Sequence, residues 1–442
     1  MRNSAIILAA VLSAGAGCSS ARVVNAPIDQ YSPAYGYTIS NPDLAHDIGN
    51  VELNLMFSGG GTRASALAYG VLQELRDTTI TVNGQTVRLL DEVDVISSVS
   101  GGSFTAAYYG LYGDKTFTDF EDALLRRDID AELAVGFLRP FVTLRMLLTS
   151  YSRSDWAEDV YNKHIFHDAT YADFMTAGGP TIRINATDIG SGSPFTFIQD
   201  QFAMLCSDLS QLSVARAVMA SSSVPVVFSP TVIENYAGTC GYQESPSMKE
   251  ALSDRTQSRR RFHIASTEAH YLDRKAHPYV YLLDGGVSDN LGVRGFLDQI
   301  IEEGGLRNFA ARGGVEPPPH IAAIVVNAEA DHKHPFQKAL HLPSISSVLS
   351  AVSGTGMHNY NFETLELLDD GVSAWAARKP GRTGHTIEVA FNNLSSEKER
   401  DYFNNVATSI NLDDDTVDRL IEVGRRLLRE SPDFKEFLRA VQ

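Results

Sequence analysis

Residues 53–63 read LNLMFSGGGTR, a short apolar run that stops at three consecutive glycines. The run has the length of a buried β-strand, and apolar residues recur at helical spacing behind it, from Ala64 to Leu75. Glycines at such a junction let backbone N–H groups approach an anion without interference from a Cβ atom. The stretch therefore predicts a strand, a glycine turn and a helix, as in an α/β sheet. A phosphate-cradling loop and a plain tight connection are the alternatives.

A second unit of the same kind follows, with a strand at 93–97, the turn SVSGG at 98–102 and a helix from Phe104. Its turn is a nucleophile elbow in which Ser98 replaces the usual first glycine. A serine on a sharp strand-to-helix turn projects its hydroxyl beyond the sheet, where the helix N-terminus favours negative charge. Ser100 is therefore a candidate nucleophile, and an ordinary serine-glycine turn is the alternative. Together the two units predict an α/β fold.

A third motif, Asp284-Gly285-Gly286, comes directly after a strand candidate at 279–283. An aspartate at a strand end, followed by two small residues, can reach a hydroxyl on a neighbouring turn. The alternative is an aspartate that only caps its own turn. Residues 114–178 are mostly helical by pattern and separate the second unit from the next strand candidate, at 181–186, so we expect a cap or insertion there.

These three motifs, in this order, resemble the patatin-like phospholipase family. The family's GGGxR loop matches residues 59–63, its GxSxG elbow matches 98–102, and its DG[GA] motif matches 284–286. Residues 217–225 also resemble the family's helix and Ser-x-x-Pro segment. This sequence departs from the pattern at Ser98 and at Ala64, where a glycine often follows the arginine. The resemblance implies a mostly parallel central sheet flanked by helices, with helical insertions and an α-rich C-terminal extension.

For chemistry, the resemblance implies a serine acyl-ester hydrolase, a phospholipase A or lipid esterase, that uses a Ser-Asp dyad without histidine. Asp284 would take the proton from Ser100, which attacks an ester carbonyl of a phospholipid or other lipid ester. The backbone amides of the glycine loop would stabilise the oxyanion. The residues implied in that loop are Gly59, Gly60 and Gly61, with Arg63, Gly102, Gly285 and Gly286 in supporting positions.

Two other functions fit parts of the sequence. A Ser-His-Asp carboxylesterase would recruit a downstream histidine, for which His320 and His385 are candidates. A non-enzymatic envelope protein could use the same fold to bind lipid, although it would not need Ser100, Asp284 and the glycines together. There is no EF-hand pattern, and neither a metal nor a cofactor is predicted.

The first 17 residues have the layout of an export signal, with Arg2, an apolar run from Ala5 to Leu12 and then small residues. Cys18 stands where a bacterial lipobox would place its lipidated cysteine, so we expect a lipid-anchored envelope protein facing the periplasm or the outside. Cleavage after Ala16 and free secretion are the alternative. The expected organisation is a signal peptide (1–17), a tether (18–50), a catalytic domain (51–330) and a C-terminal extension packed on it (331–442).

Export would place the remaining cysteines, Cys206 and Cys240, in an oxidising compartment, where we expect a surface disulfide between them. Two unrelated buried thiols are the alternative. The chain has 37 Lys and Arg against 54 Asp and Glu, a formal charge of −17. Such a charge repels phosphate backbones, so nucleic acid is not an expected partner. The basic run at 259–261 is expected to be a solvated loop.

Overall fold

The structure is a computed structural model, which describes residues 21–38, 41, 50–82, 84–225, 227–302, 318–330, 340 and 345–442. The expected signal peptide and Cys18 lie outside the described residues. Among the described helices, none combines the length and the apolar character needed to cross a bilayer.

Strands and helices alternate along most of the described chain. The strands are β1 (Ala26–Pro27), β2 (Val51–Phe57), β3 (Thr79–Val82), β4 (Gln85–Arg88), β5 (Val93–Val99), β6 (Thr181–Asp188), β7 (Ser193–Phe197), β8 (Ser207–Asp208), β9 (Thr231–Glu234), β10 (Tyr279–Asp284), β11 (His320–Asn327) and β12 (Thr383–Ala390). The helices are α1 (Thr62–Asp77), α2 (Gly101–Tyr112), α3 (Thr116–Phe120), α4 (Ile129–Leu138), α5 (Pro140–Leu148), α6 (Arg153–Tyr161), α7 (Tyr171–Ala177), α8 (Gln199–Met204), α9 (Val214–Ser221), α10 (Pro246–Ser253), α11 (Arg259–Leu272), α12 (Arg294–Glu302), α13 (Ile345–Ala376), α14 (Glu397–Asn404), α15 (Asp414–Glu430) and α16 (Pro432–Val441).

The central sheet is mostly parallel, as predicted. Its order is β12-β11-β2-β5-β6-β10-β9, and the first five of these strands run parallel to one another. β10, β9 and β7 are antiparallel to their neighbours. β2, β6 and β11 are buried along nearly their whole length, as is typical of a parallel sheet covered by helices on both faces. The functional turns therefore lie where β2 and β5 end.

Two strands that are far apart in sequence meet end to end along one edge of β6. Val99, the last residue of β5, pairs with Asn185, and Asp284, the last residue of β10, pairs with the next residue, Ala186. β7 occupies the opposite edge of β6 in this region, so β5 and β10 share one edge. Because β5 runs parallel and β10 antiparallel to β6, their last residues face each other. This geometry brings residues 100 and 284 together.

The C-terminal region is part of the same body. β12 extends the sheet beyond β11, and α15 packs closely on α1, the helix that follows the glycine turn. Small residues permit this approach, since a Cβ at Gly70 would lie 2.1 Å from the carbonyl oxygen of Ile421. Glu74, buried on α1, pairs with Arg425 and Arg429 of α15. The helix behind the glycine turn is thus supported by the C-terminal region.

Part of the segment expected to be a tether is docked on the body. β1 pairs with β8, and the Tyr37 hydroxyl, on a side chain that is 2% exposed, accepts a hydrogen bond from the Ile182 amide. Cys206 and Cys240 form the expected disulfide. The bridge is buried rather than on the surface, because Ile28 and its neighbours cover it.

The basic run at 259–261 begins α11 and is not the solvated loop that its charge suggested. Ser258 caps this helix by accepting a hydrogen bond from the amide of Arg261. The Arg261 side chain pairs with Glu250. The charge pattern does not reveal this helix, because a polar N-cap serine and a basic first turn are as common in loops as at helix starts.

Candidate active site

The elbow at Ser100 has the backbone strain expected of a nucleophile turn. Ser100 has a φ of 49°, a value that non-glycine residues rarely adopt, and it sits between β5 and α2. Its amide donates to the Ser221 hydroxyl at 2.8 Å, and that hydroxyl donates to the Asn185 carbonyl at 2.6 Å. These bonds tie the turn to α9 and β6, so the surrounding structure holds the strained conformation in place.

Small residues on both sides of Ser100 allow the elbow to pack tightly. A Cβ at Gly101 would lie 2.0 Å from the carbonyl oxygen of Gly61, and one at Gly102 would lie 2.7 Å from the Phe57 carbonyl oxygen. The departure at Ser98 is accommodated because its buried hydroxyl donates to the Arg183 carbonyl at 3.3 Å. The elbow therefore keeps its shape without the first glycine of the pattern.

Asp284 is in hydrogen-bond contact with Ser100. The Ser100 hydroxyl donates to Asp284 Oδ2 at 3.0 Å, and the Gly286 amide donates to Asp284 Oδ1 at 2.8 Å. The backbone amide of Asp284 donates to the Ser223 carbonyl at 3.1 Å. Gly285 lets this turn pass close to β6, since a Cβ there would lie 2.4 Å from the Asn185 carbonyl oxygen. The segment at 217–225 therefore supports both partners of the pair.

The Ser100–Asp284 pair is secluded from solvent. Ser100 is 8% exposed and Asp284 is 9% exposed. Burial raises the pKa of Asp284 from 3.8 to about 6, against the smaller lowering effects of the Gly286 and Ser100 hydrogen bonds. A carboxylate with a pKa near neutrality both accepts and returns a proton readily, as a general base must.

The glycine turn lies beside Ser100. A Cβ at Gly59 would lie 3.4 Å from the Ser100 Cβ atom. The Gly59 amide is already engaged, because it donates to the Asn290 carbonyl at 2.9 Å. Gly60 and Gly61 have φ values of 143° and 62°, and within the described part of the chain neither amide donates to a protein acceptor. Of the three expected oxyanion donors, Gly60 and Gly61 therefore keep amides that could bind an oxyanion, whereas the Gly59 amide fixes the position of the turn.

Arg63 braces the glycine turn against the C-terminal region. Its buried guanidinium donates to the carbonyls of Ala328 and Val406, the first at 2.9 Å, and to the Thr408 hydroxyl at 3.2 Å. Burial lowers the pKa of Arg63 to about 10. The turn is also held by Ser409, whose carbonyl accepts from the Thr62 amide at 2.8 Å. The backbone around 406–409 is thus a structural part of the candidate site.

The two candidate histidines of a triad lie at the other end of the sheet. His320 is the first residue of β11 and pairs with Val51, the first residue of β2, and His385 pairs with Ala322 nearby. Ser100 follows the opposite, carboxyl end of β5. Seven residues of strand at about 3.3 Å each place roughly 20 Å between the two ends. Neither histidine is positioned to contact Ser100.

Three residues of the site were not identified from the sequence. Asn185 donates to the Ser97 hydroxyl at 2.9 Å and to the Ser98 carbonyl at 3.0 Å. The Ser221 hydroxyl accepts a hydrogen bond from the Ser100 amide. Asn290 holds Gly59. Of the three, Asn290 could be connected with the site from the sequence, because it lies six residues after Asp284 in the same turn-rich segment. Asn185 lies within a strand, where nothing in the pattern marks it, whereas Ser221 lies in the segment 217–225 that the resemblance singled out without giving this serine a role.

A cavity of about 970 Å³ lies next to the Asp284 turn rather than over the Ser100 hydroxyl. It is bordered by Gly286, Ser288 and Asn290 on one side and by residues of α11 and α13 on the other. Neither Ser100 nor Asp284 lines it. The hydrogen-bonded pair of Ser100 and Asp284 and this cavity are therefore neighbouring but separate features of the structure.

Comparison with known proteins places the motifs in one family model. A model described as patatin-like phospholipase matches residues 55–297, more than half of the chain. No curated protein sequence matches the chain significantly.

Two solved structures show a distant similarity. Human GIVD cytosolic phospholipase A2 is 13% identical with a TM-score of 0.43, over 90% of this chain and 64% of that one. VipD from Legionella pneumophila is 12% identical with a TM-score of 0.32, over 97% of this chain and 73% of that one. The chain thus spans less than two thirds of the length of the human structure.

Proposed function

The chain belongs to the patatin-like phospholipase family, and from that premise we propose that it is a lipid acyl hydrolase in which Ser100 and Asp284 form the catalytic dyad. The observation that carries the proposal is the 3.0 Å hydrogen bond from the Ser100 hydroxyl to a buried carboxylate. That bond points the serine proton at its acceptor before substrate arrives. Ionised Asp284 is then the general base.

The reaction proceeds in two halves. Ser100 Oγ attacks the ester carbonyl carbon while its proton passes to Asp284, and the resulting oxyanion accepts hydrogen bonds from the Gly60 and Gly61 amides. The tetrahedral intermediate collapses, the C–O bond breaks, and the leaving alcohol takes the proton from Asp284. Water, deprotonated by Asp284, then attacks the acyl-enzyme, and the fatty acid leaves as Ser100 regains its proton.

Phospholipid or another lipid ester is the substrate class that we propose. The experiment incubates the protein with phosphatidylcholine vesicles and measures fatty acid and lysophospholipid by mass spectrometry. Wild type is expected to release both, and Ser100→Ala to release neither. Ser222→Ala is the matched control, because this serine follows α9 close to the site and its hydroxyl donates to the Val218 carbonyl rather than to Ser100 or Asp284. Equal release by wild type and Ser100→Ala would contradict the proposal.

We further propose that the chain is exported and lipid-anchored through Cys18. The disulfide between Cys206 and Cys240 supports this location, because such bridges persist in oxidising compartments. Partitioning into detergent separates the possibilities: wild type is expected in the detergent phase and Cys18→Ala in the aqueous phase. Wild type in the aqueous phase would favour the freely secreted form.

A further inference from the structure

An exposed apolar surface covers the helix pair α4 and α5 in the insertion between β5 and β6. Three of its side chains are among the most exposed apolar groups of the described chain, at 75% for Leu138, 77% for Phe141 and 73% for Leu148. Contiguous apolar surface of this kind is rare on a soluble monomer and marks an interaction site. We call it the apolar hairpin face, formed by Val135, Leu138, Phe141, Leu144, Leu147 and Leu148.

Helix geometry gathers these side chains on one side of α5. At about 100° per residue, Phe141, Leu144 and Leu148 lie within roughly 60° of one another around the helix axis. Val142 points the other way and is buried, at 7% exposure. The helix therefore packs through its inner side, and its outer side presents a continuous apolar strip to solvent.

Between residues 133 and 154, the charged side chains are all positive. Residues 133–154 contain Arg139, Arg145 and Arg153 and no Asp or Glu, in a chain whose formal charge is −17. Arg145 stacks over the Tyr151 ring at 3.7 Å and pairs with Asp159 at 3.6 Å, while Arg139 lies 6.0 Å from the Trp156 ring. Apolar side chains flanked by arginine and aromatic residues are typical of helices that lie in a membrane interface.

The amino end of the helix pair is bonded to the support of the glycine turn. Asp130, in the first turn of α4, accepts a hydrogen bond from the Ser409 hydroxyl at 3.0 Å. The carbonyl of Ser409 in turn lies against Gly61, where a Cβ would come within 2.3 Å of it. Ser409 therefore links the start of the hairpin, at Asp130, to Gly61, a proposed oxyanion donor.

The carboxyl end of the helix pair is bonded to the segment beyond α9. Ser154, which follows α5 at the start of α6, donates to the Ser229 carbonyl at 2.6 Å. That segment carries the exposed Val227, at 51%, and Val287 beside Asp284 is 61% exposed. Exposed apolar side chains therefore also occur on the segment bonded to the hairpin and on the turn that carries Asp284.

We propose that the apolar hairpin face docks on the surface of a lipid bilayer that contains anionic lipid. Apolar side chains enter the interface, and the arginines meet the lipid phosphates, where the rest of this acidic chain would be repelled. Docking goes beyond the proposed function and does not require a reactive Ser100. Its consequence, that the Ser100 site faces its substrate layer, rests on that function. The proposed anchor at Cys18 is a separate attachment.

The test measures sedimentation with vesicles of phosphatidylcholine and phosphatidylglycerol in equal parts. The parent protein is the full chain with Cys18→Ala and Ser100→Ala, so that neither an anchor nor hydrolysis contributes. Adding Phe141→Ser and Leu148→Ser is expected to weaken vesicle binding by about tenfold or more, because both side chains lose the transfer into the apolar layer. Ile189→Ser with Phe362→Ser is the matched control, since both are exposed apolar residues elsewhere.

A second variant keeps the test independent of any loss of structure. Leu148→Trp in the parent protein is expected to shift its fluorescence to the blue when vesicles are added. Unchanged vesicle binding by the serine pair, or no blue shift, overturns the proposal. So does a lipid-free dimer that the serine pair dissociates, because the face would then be covered by a second copy.

Failure of docking and failure of the proposed function are distinguishable. With Ser100 restored, the serine pair at 141 and 148 is expected to hydrolyse a water-soluble p-nitrophenyl ester at the wild-type rate. An inactive wild type on that ester counts against the dyad and leaves the vesicle result standing.

Discussion

Replacing Asp284 with asparagine is expected to stabilise the fold while abolishing activity. Burial raises the pKa of Asp284 from 3.8 to about 6, and each tenfold change in proton affinity corresponds to about 1.4 kcal/mol. The ionised carboxylate therefore costs the folded state about 3 kcal/mol at neutral pH. Asparagine removes the charge and keeps both contacts: its oxygen accepts from Gly286, and its amide donates to the Ser100 hydroxyl oxygen.

The pH dependence has a definite sign. The unfolded chain loses the Asp284 proton near pH 3.8 and the folded chain near pH 6, so between these values the folded state binds more protons. The wild-type free energy of unfolding then falls as pH rises across this window. The variant lacks this contribution. Its advantage is expected to be absent below about pH 3 and to reach about 3 kcal/mol by about pH 8.

Urea unfolding followed by tryptophan fluorescence measures this difference at several pH values. Asp289→Asn is the matched control, because Asp289 is also buried and burial also raises its pKa to about 6. Both Asp289 oxygens accept hydrogen bonds from backbone N–H groups, those of Val293 and Arg294. The NH2 group of an asparagine side chain at this position would therefore face one of these N–H donors and lose that hydrogen bond. We expect the lost hydrogen bond to cost about 1–3 kcal/mol and to offset most of the gain from removing the charge, so that this control is much less stabilised than Asp284→Asn at pH 8. An Asp284→Asn protein no more stable than wild type at pH 8 would refute the reasoning.

Three further predictions concern the dyad, the glycine turn and the disulfide. The kcat/KM for a p-nitrophenyl ester is expected to rise with pH through about 6, as Asp284 ionises, and a flat profile would count against this base. Gly61→Ala is expected to lower kcat by about 10²–10³ because its Cβ clashes with a backbone carbonyl, whereas Gly113→Ala, at a similar φ of 55° but in open space, leaves kcat unchanged. Equal kcat for the two glycine variants would contradict the assigned role of the turn. Cys206→Ala with Cys240→Ala is expected to lower the free energy of unfolding by about 4 kcal/mol, since the bridge closes a 34-residue separation, and an unchanged urea midpoint would contradict this.

The local elements of the site were predictable because each is determined by a short run of adjacent residues. The strand, glycine turn and helix at 53–63, the elbow at 98–102 and the Asp284 turn all have the expected form. The resemblance added the pairing of Ser100 with Asp284, which no local pattern contains. Its physical basis is the edge of β6 that β5 and β10 share, and strand pairing over so long a separation leaves no local trace.

Other features depend on contacts between distant segments. The Gly59 amide is taken by Asn290, and the docked segment around Tyr37 fills a space on the body, so neither could be inferred from composition. The resemblance placed Arg63 among the supporting residues, but the acceptors that it braces lie more than 260 residues away in the sequence. The division into a catalytic domain at 51–330 and an extension at 331–442 remains a prediction, although β12 shares the sheet.

Fluorophosphonate labelling tests the central claim most directly. A fluorophosphonate reacts only with an activated serine, and mass spectrometry of the labelled protein and its peptides identifies the residue. We predict a single adduct on Ser100, formed at the wild-type rate in His320→Ala and His385→Ala and strongly slowed in Asp284→Asn. An adduct that persists in Ser100→Ala, or full labelling of Asp284→Asn with loss in a histidine variant, would contradict the Ser100–Asp284 dyad.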